Sequence, residues 1–532
     1  PDVQGTEVWE QAKAASPELP EHLKVHKPYI DAVTYQSPKD PSARMRRVTE
    51  VIDVWFDAGC MPFAQWGYPH LEGSAQKFQD RFPADFICEA IDQTRGWFNA
   101  LLTISTVVFG EAPGWPHPFK NCICLGHIMG EDGTKLSKRL KNYKEPKLLF
   151  EQFSADALRW SFIAKNPPTS TGRLSERNVE EAQRELLIRW FNVYSFFTIY
   201  ANLDGFDPRH ATRAFYERQG FAVDRATFLR TELSGAADEI MDRPHCRPIG
   251  ERGELDRWVL NELERTALEV RQHMDAYAAN PAARAVSAFV DALSNWYVRR
   301  SRARFWASGW TQDKADAYWT LYECLLTLAR LAAPFTPFFS EVTWQNLARP
   351  LDDAPESVHL AAYPRAAEDT LDQALLAAMG ATREAVRLGL SARRSANIKV
   401  RQPLQVCELV LSDAAQRAAL DAHRDLIREE LNVKEVAFTD KPEDYVTYAV
   451  KPNFKTLGPK LGKRVKAVGK ALAQQDAAAV YRSVQDTGEL TLELDEGPVT
   501  LAGEDLDVRL TPREGFAAAQ GKSMVVVLST EI

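Results

Sequence analysis

From Val51 the chain alternates short apolar runs, VIDVWF (51–56), ADFICEA (84–90) and NCICLG (121–126), with one stretch of helical spacing, RGWFNALLTISTVV (95–108). Runs of that length rich in β-branched and aromatic residues read as strands, and their alternation with a helix predicts a parallel α/β sheet across 49–145. Pro146 then opens KLLFEQFSADALRWSFIA, a helical pattern with proline at its first position, within a helical linker at 146–185. Long amphipathic patterns follow, among them VEEAQRELLIRWFNVYSFFTIYANL and LDRWVLNELERTALEVRQHM, and predict a helical bundle over 186–365 with a Gly/Pro-rich break at 204–253. One further helix is expected at 366–395. After it VRQPLQVCELVL, VKEVAF, GELTLEL and SMVVVLST supply strands around a helix at 413–431, a small α+β domain within 366–532. Residues 1–48 are rich in Pro, Lys and Glu with little periodicity and read as a connecting segment. The fold class is therefore multidomain: α/β, then all-α, then α+β.

A chain of 532 residues exceeds what one core sustains and implies about three or four domains. Hydrophobic content of 45% with 26% charged residues is that of an ordinary globular protein rather than a disordered one. A net charge of −8 excludes a wholly basic nucleic-acid binder, so any such contact has to come from local patches. Seven cysteines without a CxxC pair fit a reducing, cytoplasmic setting. Cys122 and Cys124 alternate with apolar residues, as in a buried strand rather than half of a zinc site, and no metal site is expected. No run approaches the roughly 18 apolar residues of a membrane span, and the opening PDVQGTEVWEQ lacks the regions of a signal peptide. The start at Pro1 rather than Met reads as part of something longer.

The stretch GEDGTKLSKRLKNY (130–143) sets Gly130 and Gly133 just before Lys135, Ser137, Lys138, Arg139 and Lys141. Lysine is a mobile point charge suited to polyphosphate, and the loop follows the last apolar strand of a parallel sheet, the edge where such sheets bind ligands. Glycines on the turn let it fold over a ligand, so it reads as a phosphate lid. KLSKR resembles the KMSKS signature of the class I aminoacyl-tRNA synthetases, with Leu136 in place of Met and Arg139 in place of the last Ser. The continuation RLKNYKEP resembles the isoleucyl branch of eukaryotic type. DFICEAIDQTRGWFNALL (85–102) is similar to that family's E-G-x-D-Q-x-R-G-W-F motif, with Ala90 replacing a glycine. VIDVWFDAGCMPFAQWGYP (51–69) is similar to its D-V-W-F-D-S-G segment, with Ala58 replacing the serine.

By this resemblance Lys135 and Lys138 stabilise the phosphates of ATP, and Glu89 and Asp92 bind the ribose hydroxyls. Gln93 contacts the adenylate, Trp97 and Trp55 wall the isoleucine side chain, and Gly126 lies near the adenine. Carboxylates accept hydrogen bonds from vicinal hydroxyls, and an indole face offers apolar area of defined shape. His127 matches no such position and reads as structural. ATP with Mg²⁺, isoleucine and tRNA(Ile) are the implied cofactors and partners of a monomer that makes isoleucyl adenylate and transfers it to tRNA. The fold class implied for 49–145 is the second half of a Rossmann-type catalytic domain, entered from an editing insertion, followed by a helical anticodon-binding bundle.

Two basic patches fit the same reading. SNWYVRRSRARFW (294–306) interleaves Arg299, Arg300, Arg302 and Arg304 with Trp296, Tyr297, Phe305 and Trp306, and resembles the family's anticodon-binding bundle. Guanidinium groups suit phosphate contacts and stacking on unpaired bases, so these arginines are candidate tRNA ligands. KPNFKTLGPKLGKRVKAVGK (451–470) holds Lys460, Lys463 and Arg464 among further lysines, with a single aromatic, and its charge fits a nucleic-acid backbone. The family's other signature, H-x-G-H, matches none of the ten histidines, so the chain is expected to lack the first half of the enzyme and most of an editing domain, and to be inactive alone. A valyl enzyme, or a tRNA-binding module without catalysis, remain the alternatives.

Overall fold

The computed structural model describes residues 2–50, 53–110, 117–136, 142–210, 246–351, 354–366, 368–411, 413–441, 444–494 and 497–531, with backbone alone at 210, 463, 478, 481, 482, 485, 486 and 509. The chain divides into two compact units: Pro1–Arg184 with His273–Ala283, and Glu185–Gln272 with Arg284–Ile532.

In the first unit the strands Ala84–Ala90 and Phe119–Leu125 pair in parallel, joined by the helix Trp97–Phe109 as the strand–helix–strand pattern predicts. Ile87, Phe98 and Leu101 bury the helix on this pair, with Trp97, Phe119 and Cys124 packed around them. The predicted VIDVWF strand differs: Val54–Gly59 is a helix, because the Asp53 side chain accepts the Trp55 N–H at 2.7 Å and caps the first turn. An apolar run this short is compatible with either element, and the cap decides. That helix lies against Trp97–Phe109, where a Cβ on Gly59 would come within 3.0 Å of the Ala100 backbone. The NCICLG segment is a strand, but Cys122 is exposed and Cys124 only half-buried, since the buried cluster on this pair gathers around Ile87, Phe98 and Leu101. Residues 2–48 are more regular than a connecting segment: Glu7–Ala15 is helical, and Val3–Gln4, Thr34–Gln36 and Arg44–Arg46 form an antiparallel sheet. The helices Pro146–Phe153, Ala155–Ala164 and Glu176–Ala182 follow, the first with its proline at the start.

The second unit is built around Gln312–Ala332, a helix buried from Lys314 onward. A helix buried all round must be sheathed, and Arg189–Asp204, most of Glu254–Asp275 and of Ala279–Ala292, Arg299–Trp306 and Pro337–Ala348 complete the bundle. Most of the predicted break, 211–245, lies outside the described residues. The C-terminal part is α+β as expected: Gln373–Ser395 packs on a four-stranded sheet ordered Phe516–Gln520, Val525–Ser529, Leu404–Val410, Val433–Thr439. The expected helix at 413–431 is two, Ala414–Ala422 and Arg424–Leu431, meeting at His423. A second layer, absent from the sequence reading, pairs Val446–Pro452 with Leu506–Pro512 under the helices Phe454–Leu461 and Val465–Gln474. Among the described residues no helix is long and apolar enough to cross a membrane.

Candidate active site and nucleic-acid interface

The parallel register sets Glu89 beside Cys124 and Ala90 beside Leu125, so Glu89 and Gly126 both stand at the carboxyl edge of the pair. Asp92 and Gln93 follow on a 3-10 turn, Ile91–Arg95. The Gln93 side chain works at both ends: Oε1 accepts the Trp97 N–H at 2.9 Å, closing the start of the long helix, and Nε2 donates to Asp92 Oδ2 at 3.3 Å. The Trp97 indole donates Nε1–H to the Ala58 carbonyl at 3.2 Å, which fixes the ring against the Val54–Gly59 helix. Trp55, 38% exposed, lies on the same junction. Between them sits Gly96, where a Cβ would be 2.7 Å from Gln93 Oε1 and 3.1 Å from Trp55 Cε2. The fold therefore gathers Asp92, Gln93, Trp97 and Trp55 around one glycine that no larger residue replaces without displacing two of them. The motif spelled that glycine, but its packing role is legible only once Trp55 is seen to return to it.

Gly126 donates its N–H to the Pro168 carbonyl at 2.9 Å, and a Cβ there would strike the Ser170 backbone at 2.3 Å. Beyond it Ile128–Met129 pairs in parallel with Gly172–Arg173, and the lid begins. Gly130 N–H donates to the Thr134 carbonyl at 2.8 Å and Gly133 N–H to the Gly130 carbonyl at 2.9 Å. Gly133 takes φ +79°, a left-handed turn suited to glycine. The Thr134 backbone N–H and hydroxyl donate to Asp132 and hold its carboxyl below the ordinary range. Asn142 Nδ2 donates to Thr134 Oγ1 at 2.8 Å and to the Lys135 carbonyl at 3.1 Å, drawing the far side of the loop to its near side. Lys135 bridges Met129 through its backbone, and its side chain is exposed, without an acid partner among the described residues. Lys138 lies outside the described residues, as do Ser137, Arg139 and Lys141.

The first basic patch is divided by its partners. Arg304 makes two 2.8 Å bonds to Asp256, which is fully buried and also accepts the Tyr297 hydroxyl at 2.6 Å. Those partners, with Asp313, raise the Arg304 guanidinium further above its ordinary value although burial opposes it. Arg300 pairs with Glu429 at 3.0 Å and Glu430 at 2.8 Å, and Arg299 also pairs with Glu430. Arg302 alone of the four is exposed with no ion pair or hydrogen bond among the described residues. In the second patch Lys460 is held by Asp505 at 2.9 Å, Arg464 donates to the Gly497 carbonyl at 3.1 Å, and the Lys463 side chain lies outside the described residues. Lys455, Lys466 and Lys470 are exposed and unpaired among them. Sequence spacing marked every arginine alike, because the acids that claim three of them lie far along the chain.

Residues 3–175 match the model of the tRNA synthetases class I (I, L, M and V), and residues 256–408 match that of the anticodon-binding domain of tRNA ligase. The isoleucine–tRNA ligase of Thermobifida fusca is 40% identical over 519 residues, covering 96% of this chain and 45% of the relative. That of Streptomyces avermitilis is 40% identical over 514 residues (96% and 44%), and that of Deinococcus radiodurans 39% over 515 (96% and 43%). The chain thus spans less than half the length of these relatives. With the motif residues gathered at the edge of a parallel strand pair, a helical bundle later in the chain and relatives of this similarity, the chain belongs to the class I tRNA synthetases and is a partial-length relative of the isoleucine–tRNA ligases.

Proposed function

We propose that this chain supplies the lid, part of the adenylate pocket and the tRNA-binding part of an isoleucine–tRNA ligase, which activates isoleucine with ATP and transfers it to tRNA(Ile). The observation that carries the reading is the junction at Gly96, where Gln93 is bonded to both Asp92 and the Trp97 backbone while two indoles flank the glycine. In the reaction the isoleucine carboxylate attacks the α-phosphate of ATP and pyrophosphate leaves, so no enzyme nucleophile is needed. Catalysis then rests on positioning and on charge set against phosphate oxygens.

In this reading Glu89 and Asp92 accept the ribose hydroxyls, Gln93 meets the adenylate, and Gly126 offers its backbone near the base. Trp97, fixed through Ala58, and Trp55 are the two walls of the side-chain pocket. Lys135, exposed and free of acid partners among the described residues, takes phosphate together with Lys138. Mg²⁺ accompanies ATP as part of the substrate. Arg302 is the phosphate contact of the bundle, with Lys455, Lys466 and Lys470 on the C-terminal part. Arg299, Arg300 and Arg304 keep internal carboxylate partners and brace that surface. The protein acts as a monomer in the cytoplasm.

The share of its relatives that the chain spans favours a second reading, a tRNA-binding part with no catalysis of its own. Both are tested by assaying the 532-residue chain for tRNA(Ile) binding and for adenylate formation. Salt-dependent binding without adenylate is the expected result. Adenylate formation by the chain alone removes the second reading, and absence of tRNA binding at low salt overturns the first.

A further inference from the structure

The basic stretch 451–470 carries one aromatic residue, Phe454, which is 67% exposed. Leaving that much apolar area in water forgoes stabilisation that burial would supply, at about 25 cal/mol per Å². The residues on either side are held in place. Asn453 donates its N–H to the Asp505 carbonyl at 2.8 Å and Nδ2–H to the Glu504 carbonyl at 3.0 Å, and its Oδ1 caps the helix by accepting the Lys455 N–H at 3.1 Å. Three residues on, Leu457 is 1% exposed and anchors the same helix in the core with Val465, Val468 and Leu472. The ring is thus presented outward by a segment pinned on both sides.

Its surroundings are cationic. Lys455 is adjacent and unpaired among the described residues. A Cβ on Gly469 would lie 3.5 Å from the Pro452 ring, so the helix Val465–Gln474, with unpaired Lys466 and Lys470 on successive turns, rests against the strand end from which Phe454 emerges. Of the carboxylates in this part, Asp505 and Glu504 hold Lys460. An exposed aromatic residue in a basic stretch, followed directly by a lysine without an acid partner among the described residues, has the chemistry of single-strand recognition, in which a base stacks and its phosphates meet ammonium groups.

We propose that Phe454 is a stacking platform for an unpaired RNA base, with Lys455, Lys466 and Lys470 taking the flanking phosphates. This rests on the reading of the chain as a tRNA binder and adds a site in a part that neither family model matches. The test is binding of labelled tRNA(Ile) to the whole chain across a salt series, for wild type, Phe454→Ala, Phe454→Trp and Lys455→Ala. Phe454→Ala is expected to weaken binding about tenfold or more at every salt concentration with the salt slope unchanged. Phe454→Trp keeps wild-type affinity, and Lys455→Ala flattens the slope by close to one charge. Unstructured RNA should compete more weakly against Phe454→Ala than against wild type, while duplex RNA competes equally with both. Wild-type affinity in Phe454→Ala, or equal loss in Phe454→Ala and Phe454→Trp, overturns the platform alone. Failure of the wild type to bind tRNA at any salt overturns the tRNA-binding reading and the platform with it.

Discussion

A single glycine and a set of paired arginines carry the argument at the scale of residues. Replacing Gly96 by Ala drives a methyl group to 2.7 Å from Gln93 Oε1 and 3.1 Å from Trp55 Cε2, so both must shift. On the proposed function, misplacement of this kind is expected to lower kcat/KM for isoleucine activation by about 10- to 100-fold, measured by pyrophosphate exchange in a full-length ligase into which this sequence is grafted. Arg302 and Arg304 separate binding from stability, although both sit in one short motif. Arg304→Ala strands the fully buried Asp256, an uncompensated charge that costs about 3–5 kcal/mol, read as a lowered unfolding midpoint. Arg302→Ala leaves stability within about 0.5 kcal/mol and reduces the salt slope of tRNA binding. Asp92, Gln93, Gly96 and Trp97 were legible as a group because they meet within a few positions along the chain, whereas Trp55 joins them from a distant segment. Asp256, Glu429 and Glu430 were not, since nothing local to RRSRAR names an acid from a distant helix.

Elements were legible where the pattern was long, as in the Trp97–Phe109 helix and the bundle. Short ones turned on a single side chain. VIDVWF has the composition of a strand and becomes a helix on the strength of the Asp53 cap, and the helix at 413–431 breaks where His423 intervenes. The Val446–Pro452 strand escaped the sequence reading because its partner, Leu506–Pro512, lies far down the chain, beyond any local signal. Asp505 locks that second layer. Burial pushes its carboxyl up, but hydrogen bonds from Lys460, the Ala502 N–H and Thr456 outweigh it and hold the group below its ordinary 3.8. A depressed carboxylate stabilises the fold above its unfolded value and loses that contribution as pH falls through the folded one. The C-terminal part is therefore expected to loosen as pH drops below about 4. In Asp505→Asn the pH dependence over that range flattens, with a loss of about 1–3 kcal/mol at neutral pH from the partners left unmet. Thermal unfolding from pH 3 to 7, followed for both proteins, checks it.

At the scale of the whole molecule, one unit carries the Gly96 junction and the lysine loop proposed to serve the adenylate and its phosphates, and the other carries the bundle and the basic C-terminal part. An overall charge of −8 confines any RNA contact to local patches. Which lysines and arginines remain free to make that contact was decided by the fold. The measurement that bears most directly on the proposed function is pyrophosphate exchange by a full-length isoleucine–tRNA ligase into which this sequence is grafted, with isoleucine and valine compared as substrates. The pocket proposed between Trp55 and Trp97 predicts exchange that saturates at lower isoleucine than valine, a preference of about 10- to 200-fold in kcat/KM, in the range that one methylene allows. That range is drawn from this enzyme class. Exchange that favours valine, or that depends on neither amino acid, would contradict the account.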